Sequence, residues 1–298
     1  DWASSLFSKN ERKMSDKFFK TLPLTVILIL FLASCSITKG IPEGQVLYRG
    51  IKELEIENKS ETTVGNEAVS EVTAALSKAP NASFFGSPYK KHVGWIPPIG
   101  LWIWNEYNDA NNGISRWVMR TFGSKPVLIS TVNPELRTKI ATNLLRDYGY
   151  FNGTVSFTVN PYENNEKEAS VSYFVNMHDP YYLDSIEYRN FSPTAMRIIL
   201  GGERRRRQQE LSDNASLLRK GAQFNVIDLE NERQRISARL RNRGYYYFRP
   251  DFVGYQADTT RMRGLVDLRI QPKAGVPAIA RKQWRIGDIS VHLFGVNG

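Results

Sequence analysis

The hydrophobic pattern of this chain switches between a period near four residues, typical of helices, and a period of two, typical of strands. In the clearest stretch, a helical segment is followed by two alternating segments, which we expect to form a hairpin. The first alternating segment carries Val155, Phe157 and Val159 on one face, and Pro161–Lys167 is the expected turn. The returning segment carries Ala169, Val171, Tyr173 and Val175.

The helix before this hairpin is expected to begin at Pro134, directly after the capping residue Asn133. An asparagine can satisfy free amides at a helix start, and proline lacks the amide hydrogen that would be unsatisfied there. Gly149 is expected to end the helix, because glycine readily adopts the left-handed conformation found at helix ends. The predicted buried stripe has a spacing of four residues and consists of Leu136, Ile140, Leu144 and Tyr148.

The same succession returns at an offset of 95 residues, from Gly149 to Gly244. The first copy, Leu144–Phe151, reads Leu-Leu-Arg-Asp-Tyr-Gly-Tyr-Phe, and the second, Arg239–Tyr246, reads Arg-Leu-Arg-Asn-Arg-Gly-Tyr-Tyr. A self-match at a fixed spacing indicates repeated supersecondary units.

The second copy predicts a helix that is capped by Asn225, with Ile236 and Leu240 on its buried side. Gly244 is expected to end this helix in the way that Gly149 ends the first. The hairpin that follows is expected to contain a strand over Tyr245–Tyr255, a turn over Ala257–Met262 and a returning strand with Val266, Leu268 and Ile270.

A shorter apolar signal predicts a leading strand before each helical region. Its three occurrences are Ile51 with Leu54 and Ile56, Leu183 with Ile186 and Tyr188, and Ile286 with Ile289 and Val291. Further helical stretches are expected at Glu67–Lys78 and at Pro193–Lys220, the second interrupted by Gly201-Gly202. Each unit therefore reads strand–helix–helix–strand–strand, which predicts an α+β fold with helices on one face of a sheet. We expect domain 1 at residues 45–178, domain 2 at 179–273, and the start of a truncated third domain at 280–298.

The beginning of the chain has the pattern of a secretion signal. Lys17 and Lys20 precede an apolar run, Leu22–Ala33, and the chain's single cysteine, Cys35, follows. This run is shorter than the about 20 residues that a transmembrane helix needs. Taking Met14 as the start gives an untranslated leader at 1–13, a signal at 14–34 and a lipidated tether at 35–44. The alternative is that Cys35 is a buried free thiol.

The net charge of +10, from 40 Lys and Arg against 30 Asp and Glu, indicates contact with anionic lipid head groups or acidic partners. It does not by itself indicate nucleic acid, and no nucleic-acid partner is expected. The sharpest basic feature is the Arg204–Arg207 run, which is either a solvated helix face or loop, or a docking patch. A single cysteine also excludes a disulfide framework, so that packed cores must stabilise the fold.

A long segment inside domain 1, Phe84–Lys125, exceeds the length of an ordinary connection. It is rich in tryptophan and contains Trp95, Trp102, Trp104 and Trp117, with Pro97-Pro98 between the first two. One interpretation is a second small core that packs on the first unit. The other is an interface with a membrane or partner at Trp95, Trp102 and Trp104, because tryptophan favours such boundaries.

The sequence contains little that indicates catalysis. His92, His178 and His292 lie far apart without the spacing of metal ligands. There is no nucleophile elbow, phosphate-binding glycine loop or cysteine pair. We therefore predict no catalytic residues, no metal site, no cofactor and no enzymatic activity.

The order of elements, the helix that ends Leu-Arg-x-x-Gly-Tyr at Leu145–Tyr150, and the hairpin after it resemble the POTRA domain of outer-membrane assembly proteins. The tetrad Leu32-Ala33-Ser34-Cys35 resembles the bacterial lipobox, which implies cleavage before Cys35 and acylation of that residue. Cys35–Gly44, which leads directly into the first strand, resembles the start of TamL-type lipoproteins of the BamA/TamA family of Bacteroidetes. Such proteins carry a membrane β-barrel after their POTRA domains, and this sequence does not include it.

This resemblance implies a periplasm-facing POTRA region that is lipid-anchored to the outer membrane and assists the insertion or translocation of outer-membrane proteins. The implied partners are the membrane, through acyl chains, unfolded outer-membrane protein clients, and a Tam-type periplasmic protein. In POTRA domains the strand after the second helix is an edge that can pair with an extended segment. Carried over, the edge in domain 1 is Thr154, Val155, Ser156, Phe157, Thr158 and Val159. Its counterpart, Tyr246–Tyr255, is less favoured because Pro250 removes a donor.

Two rival functions remain open from the sequence. A single-pass inner-membrane POTRA scaffold of the cell-division type would require the apolar run to stay uncleaved, and its short length and the repeated units weigh against this. A lipid-anchored hydrolase would require titratable groups that converge in a deep pocket, which no motif here predicts.

Overall fold

The computed structural model describes residues 37–201 and 216–292 of the chain. The chain divides into two compact units that are interleaved along the sequence. One contains the chain up to Leu54, Ser77–Pro134 and Phe157–Tyr173, and the other contains Glu55–Leu76, Glu135–Ser156 and Phe174–Gly298. The domain boundaries that the sequence predicts, at 45–178 and 179–273, stay predictions.

Several features that the sequence singles out lie outside the described residues. They are Cys35, the lipobox residues Leu32, Ala33 and Ser34, and the Arg204–Arg207 run. Among the residues that are described, no helix is both long enough and apolar enough to cross a membrane.

The first series of elements lies between residues 47 and 176. It consists of β1 (Leu47–Glu57), α1 (Thr63–Leu76), α2 (Ile99–Tyr107), α3 (Gly113–Phe122), α4 (Ile129–Val132), α5 (Pro134–Asp147), β2 (Thr154–Tyr162) and β3 (Asn165–Asn176). The second series consists of β4 (Tyr182–Tyr188), α6 (Pro193–Leu200), α7 (Val226–Arg241), β5 (Val253–Asp258) and β6 (Leu265–Pro272). Short 3-10 turns occur at Phe84–Gly86, Lys90–His92, Pro250–Phe252 and Ala278–Arg281.

Two three-stranded sheets confirm the predicted α+β class, and the second series has the predicted order strand–helix–helix–strand–strand. In the first series, the additional helices α2, α3 and α4 lie between α1 and α5. The strand orders of the two sheets are β1-β3-β2 and β4-β6-β5, so the last strand of each series lies in the centre. In the second sheet, β4 runs parallel to β6, with Ile186 opposite Leu268, and β5 runs antiparallel to β6, with Val253 opposite Pro272. Each central strand therefore pairs on both sides and leaves two outer strands.

The central strands carry the apolar alternation that the sequence predicts. In β6, Val266, Leu268 and Ile270 are fully buried, and they share one core with Ile236 and Leu240 of α7. In β3, the predicted residues Ala169, Val171, Tyr173 and Val175 are likewise buried. Each such large apolar side chain contributes about 1.5–3 kcal/mol when it leaves water, so the two central strands are where the sheets gain most of their stability.

Side-chain caps fix the starts of the helices that follow polar residues. The Asn225 side chain accepts a hydrogen bond from the Ile227 amide at 2.9 Å, which confirms the predicted cap of α7. Ser192 accepts from the Ala195 amide at 3.2 Å at the start of α6, where a proline occupies the first turn. These bonds satisfy amides that have no partner within their own helix.

The predicted buried stripe of α5 is wrong in three of its four positions. Leu136 and Ile140 are 52% and 45% exposed, Leu144 is half-buried, and Tyr148 alone is buried as expected. The side that is buried consists of Thr138, Ala141, Leu145 and Tyr148. A constant step of four residues overshoots the 3.6-residue turn and drifts around the helix, whereas alternating steps of three and four stay on one side.

The hairpins differ from their predicted bounds. In the first, β2 continues through Tyr162, so the turn is only Glu163-Asn164 and not Pro161–Lys167. In the second, the strand expected over Tyr245–Tyr255 begins only at Val253. The reason is Pro250, which has no amide hydrogen for a ladder and a fixed φ that suits the 3-10 turn found there.

The third leading strand is not formed within the described residues, which end at residue 292. Ile286, Ile289 and Val291 belong to no helix or strand, and they are 85%, 75% and 77% exposed. A third domain that begins at residue 280 stays a prediction.

The two glycines of the repeat end their helices with the same hydrogen bonds. Gly149 has a φ of 86° and Gly244 a φ of 94°, both in the left-handed region. After α5, the Tyr150 amide donates to the Leu145 carbonyl at 2.8 Å, and after α7 the Tyr245 amide donates to the Leu240 carbonyl at 3.0 Å. These atoms correspond at the offset of 95 residues from Gly149 to Gly244, so the sequence repeat is also a geometric repeat.

The carbonyl of each glycine also accepts a backbone hydrogen bond from a residue beyond the following hairpin. The Gly149 carbonyl accepts from the Tyr181 amide at 2.9 Å, and the Gly244 carbonyl accepts from the Trp284 amide at 2.7 Å. A side-chain carbon on Gly149 would lie 2.7 Å from the Phe224 carbonyl oxygen, and one on Gly244 would lie 2.6 Å from the Trp284 carbonyl oxygen. Glycine is therefore required at both positions for its conformation and for its small size.

A buried ion pair within α7 is hydrogen-bonded to β4. The Arg235 guanidinium donates to both oxygens of Glu232, at 2.6 and 2.7 Å, and the Glu232 side chain is fully buried. The Tyr188 hydroxyl donates to the same carboxylate at 2.6 Å, and the Leu217 amide donates at 3.1 Å. Burial, together with the Glu232 carboxylate, raises the pKa of Tyr188 above its ordinary value, so this hydroxyl stays a donor at physiological pH.

We expect Glu232→Gln to lower the free energy of unfolding by about 3 kcal/mol, because it leaves a buried guanidinium without its counter-charge. Urea unfolding measures the change. The matched control is Glu230→Gln on the same helix, which breaks the exposed Glu230–Arg233 pair and should cost less than about 1 kcal/mol. Equal losses in the two variants would contradict this ranking.

We expect Gly149→Ala to destabilise the chain more than Gly264→Ala. Both residues have a positive φ, which costs an alanine about 1–2 kcal/mol, but only Gly149 faces a carbonyl oxygen at 2.7 Å and Gly264 has nothing within 4 Å. Thermal or urea unfolding of both variants isolates the contact. If the two variants lose the same stability, the Phe224 carbonyl oxygen near Gly149 does not contribute to the cost of the substitution.

Candidate functional site

The six predicted edge residues, Thr154, Val155, Ser156, Phe157, Thr158 and Val159, all lie on β2. This strand occupies one end of the order β1-β3-β2, and no other strand is hydrogen-bonded to its outer side within the residues that the structure describes. An edge strand presents a row of amide and carbonyl groups to an incoming chain. The structure therefore brings the predicted residues together as one continuous edge of nine residues, from Thr154 to Tyr162.

The opposite edge of the same sheet is partly covered. Residues 88–89 of the tryptophan-rich segment, and residues 127–128 just after it, run beside the start of β1. The Ile51 amide donates to the Pro88 carbonyl at 2.8 Å, and the Tyr48 amide donates to the Val127 carbonyl at 2.8 Å. Because these backbone groups of β1 already have partners, β2 is the more accessible edge.

Most side chains of β2 are exposed to solvent. Phe157 and Val159 are 36% and 37% exposed, Thr154, Ser156 and Thr158 are exposed, and Val155 is half-buried. At the far end, the Asn160 amide group donates to the Thr158 carbonyl at 3.2 Å and to the Ser172 hydroxyl at 3.0 Å. The stretch without such local partners is therefore the beginning of the strand.

A cavity of about 120 Å³ lies beside the beginning of β2. Its lining combines hydroxyl groups, two carboxylates and one aromatic ring, contributed by Thr154, Ser156, Glu55, Glu57, Phe174, Val175 and Asn176. Asn176 donates to the Glu57 carboxylate at 3.2 Å and accepts from Asn58 at 2.9 Å. A cavity with this lining suits a polar or basic side chain of a paired segment.

The second sheet offers a shorter edge at β5. Its strand spans six residues, from Val253 to Asp258, whereas the sequence predicted a strand from Tyr245. The remaining residues include the exposed pair Tyr246 and Tyr247, whose rings make an edge-to-face contact with centroids 5.1 Å apart. The shortening by Pro250 gives a structural reason to favour β2.

The tryptophan-rich segment places its three predicted interface residues in different environments. Trp102 and Trp104 on α2 are half-buried, and Lys125 lies over the Trp104 ring at 5.6 Å. Trp95, before the helix, is 68% exposed and packs on Phe84 at 5.6 Å. The neighbouring Leu101 is buried in a small cluster with Ile41 and Leu47, onto which Ile37 and Leu128 pack.

Sequence reasoning missed other exposed apolar residues of this segment. Ile114 and Phe122 at the two ends of α3 are 79% and 55% exposed, and Phe85 is 92% exposed. The signal that could have identified α3 is its strongly one-sided distribution of apolar residues.

The described residues contain no group of three or more His, Cys, Asp or Glu side chains that could hold a metal ion. His92 Nδ1 lies 2.7 Å from the Ser87 hydroxyl oxygen, which is the nearest approach to a catalytic pair. In the part of the chain that the structure describes, no carboxylate is hydrogen-bonded to this pair, whereas a triad requires a third group that orients the base.

No protein-family model matches the chain, and no curated protein matches it. Among solved structures, it is similar to BamA of Haemophilus ducreyi lacking POTRA domains 1–3, with 15% identity and a TM-score of 0.30 over 57% of this chain and 26% of that one. It is similar to POTRA3–5 of Haemophilus influenzae BamA, with 11% identity and a TM-score of 0.29, and to POTRA1–2 of Anabaena Omp85, with 13% identity and a TM-score of 0.29. Each of these two matches covers 78% of this chain and 99% of the other. Because the TM-scores are below 0.5, no functional conclusion is drawn from these similarities.

Proposed function

We propose that this chain is the POTRA-type, periplasm-facing region of an outer-membrane lipoprotein of the BamA/TamA class. In this proposal, β2 binds an extended segment of an outer-membrane protein or of a partner by adding it to the sheet. The observation that carries the proposal is that Thr154–Val159 forms an exposed edge while the opposite edge, at β1, is partly covered. Main-chain pairing depends little on side chains, which suits a factor that handles many clients.

The repeated architecture supports a POTRA assignment from the chain itself. Both series contain the order strand–helix–helix–strand–strand, with α2, α3 and α4 as additional helices in the first. In both, the helix before the hairpin ends at a glycine with equivalent hydrogen bonds. The finer assignment to TamL-type lipoproteins, and a Tam-type periplasmic partner, rest on the sequence resemblance of Cys35–Gly44.

The proposed location rests on the lipobox Leu32-Ala33-Ser34-Cys35. Cleavage before Cys35 and acylation of its amine and thiol would tether the chain to the periplasmic face of the outer membrane. Several acyl chains anchor a protein firmly, whereas one alone binds reversibly.

The edge is tested with a short synthetic peptide of alternating threonine and valine that has lysines at both ends. We expect it to bind the full chain, and methylation of its alternate amide nitrogens to weaken binding roughly thirtyfold, because about two ladder hydrogen bonds of about 1 kcal/mol each are lost. Fluorescence anisotropy of the labelled peptide gives both dissociation constants.

Two chain variants locate the binding. Ser156→Pro on β2 should lower the affinity of the chain for the unmethylated peptide. Gln256→Pro on β5 should leave this affinity unchanged. Circular dichroism verifies that both variants fold. Equal affinity of the methylated and unmethylated peptides would reject pairing through the main chain. Loss of binding only in the Gln256 variant would move the site to β5.

We expect mass spectrometry of the chain, produced with its leader in a bacterium that has an outer membrane, to show a mature protein that begins at acylated Cys35. Cys35→Ala should keep the leader, because the sulfur that accepts the lipid is gone. An unmodified thiol on a chain that retains residues 14–34 would reject the lipoprotein and favour the uncleaved inner-membrane scaffold.

A further inference from the structure

The tryptophan-rich segment exposes an unusual amount of apolar surface. Six of its apolar side chains are more than half exposed, namely Phe85, Trp95, Ile99, Ile114, Trp117 and Phe122. We call this set the aromatic face. Single exposed apolar residues are normal, but a group of this size on one short segment marks an interaction surface.

Contacts within the segment link the members of the aromatic face. Phe84 joins Phe85 and Trp95, with ring centroids 4.4 and 5.6 Å apart, and Trp117 contacts Phe122 at 6.0 Å.

The group on α3 lies where α2 begins, because the end of α3 packs against the start of α2. The Ser124 amide donates to the Gly100 carbonyl at 2.8 Å, and a side-chain carbon on Gly100 would lie 3.1 Å from the Phe122 carbonyl oxygen. Ile99, the first residue of α2, is therefore close to the end of α3, and Trp95 precedes Ile99 by four positions in the chain.

Basic side chains surround this face. Phe84–Lys125 contains five Lys and Arg against two Asp and Glu. Lys91, Arg116, Arg120 and Lys125 are exposed, and none of them forms an ion pair with a residue that the structure describes. Arg116 and Arg120 lie on α3 together with Trp117. Apolar and aromatic residues bordered by unpaired cations are the composition of surfaces that bind anionic lipid.

The chain enters the structure at this same segment. Ile37 packs on the cluster that contains Leu101 of α2, and its carbonyl accepts from the Asn105 side chain at 3.2 Å. Ile37 follows Cys35 by two positions, with Ser36 between them, and two residue steps span at most about 7 Å. This step rests on the acylation of Cys35 proposed above, which would place Ile37, the residue that contacts α2, within about 7 Å of the residue that carries the acyl chains.

We propose that the aromatic face binds the anionic lipid surface of the membrane that holds Cys35. Tryptophan and phenylalanine would enter the boundary between head groups and acyl chains, and Arg116 and Arg120 would contact lipid phosphates. This surface is separate from the edge of β2, and its test does not involve the peptide.

The experiment uses the full chain with Cys35→Ser and one new cysteine, introduced by Ile114→Cys or, as the control, by Ile289→Cys. Both positions are about equally exposed, at 79% and 75%. Each cysteine carries the environment-sensitive dye NBD, and the probe is a vesicle of phosphatidylcholine with or without phosphatidylglycerol. We expect a blue shift and quenching by brominated acyl chains at position 114 with the anionic vesicles, and neither change at position 289.

Further variants distinguish vesicle binding by the aromatic face from vesicle binding by the apolar leader, because every variant retains the leader. Trp95→Ser with Trp117→Ser should lower vesicle affinity at least tenfold, and Arg116→Ser with Arg120→Ser should lower it about fivefold per charge on anionic vesicles. Tyr246→Ser with Tyr247→Ser removes an exposed aromatic pair elsewhere and should change nothing.

Three results would overturn the proposal. They are an unchanged dye at position 114, full vesicle affinity in the double tryptophan variant, and a concentration-dependent dye shift without vesicles, which would show that a second copy covers the face. Circular dichroism verifies that the serine variants fold. We expect them to fold because the substituted residues are exposed.

Discussion

At Gly149 and at Gly244, the backbone enters the left-handed region directly after a helix, and the carbonyl of the glycine accepts an amide from the chain that follows. No side chain fits at either position, because a carbonyl oxygen occupies the space. The amide that donates to the Gly149 carbonyl belongs to Tyr181, the residue directly before β4. The glycine turn of the first copy therefore fixes the start of the leading strand of the second series. The same geometry at Gly244 positions Trp284. At both positions this turn fixes the backbone of the chain that leaves the following hairpin, at Tyr181 and at Trp284.

The distribution of apolar residues then decides which strand edges remain open. β3 and β6 bury apolar side chains at alternate positions and pair on both sides, and in β3 the intervening Ser170 and Ser172 are buried as well. Both leading strands also have backbone partners outside their sheets, since β1 contacts residues 88–89 and 127–128 and β4 contacts residues 221–223. The outer sides of β2 and β5 remain, and β2 is the longer. The edge that is proposed to bind clients is therefore open because the backbone groups of the other strands of its sheet have hydrogen-bond partners.

Local sequence signals predicted the elements well where the physics is local. The cap at Asn225, the left-handed glycines and the central alternating strands need only neighbouring residues, and the structure has all of them. The late start of β5 has a local cause, Pro250, which the expected strand over Tyr245–Tyr255 passed through. The error in α5 concerns a feature that tertiary contacts decide. Which side of α5 is buried depends on what packs against it, and both Leu136 and Ile140 were assigned to the wrong side.

The candidate site was predictable in part for the same reason. The position of β2 at a sheet edge followed from the order of elements, but the covering of β1 involves residues more than 30 positions away in the sequence. The environments of Trp95 and Trp102 differ because Leu101 packs on Ile41 and Leu47, which no local pattern shows.

Residue-resolved amide hydrogen exchange, with and without the alternating peptide, tests the central claim most directly. The account predicts that amides of Thr154–Val159 become slower to exchange when the peptide is added, while those of Val253–Asp258 do not. Protection confined to β5, or to the tryptophan-rich segment, would contradict it.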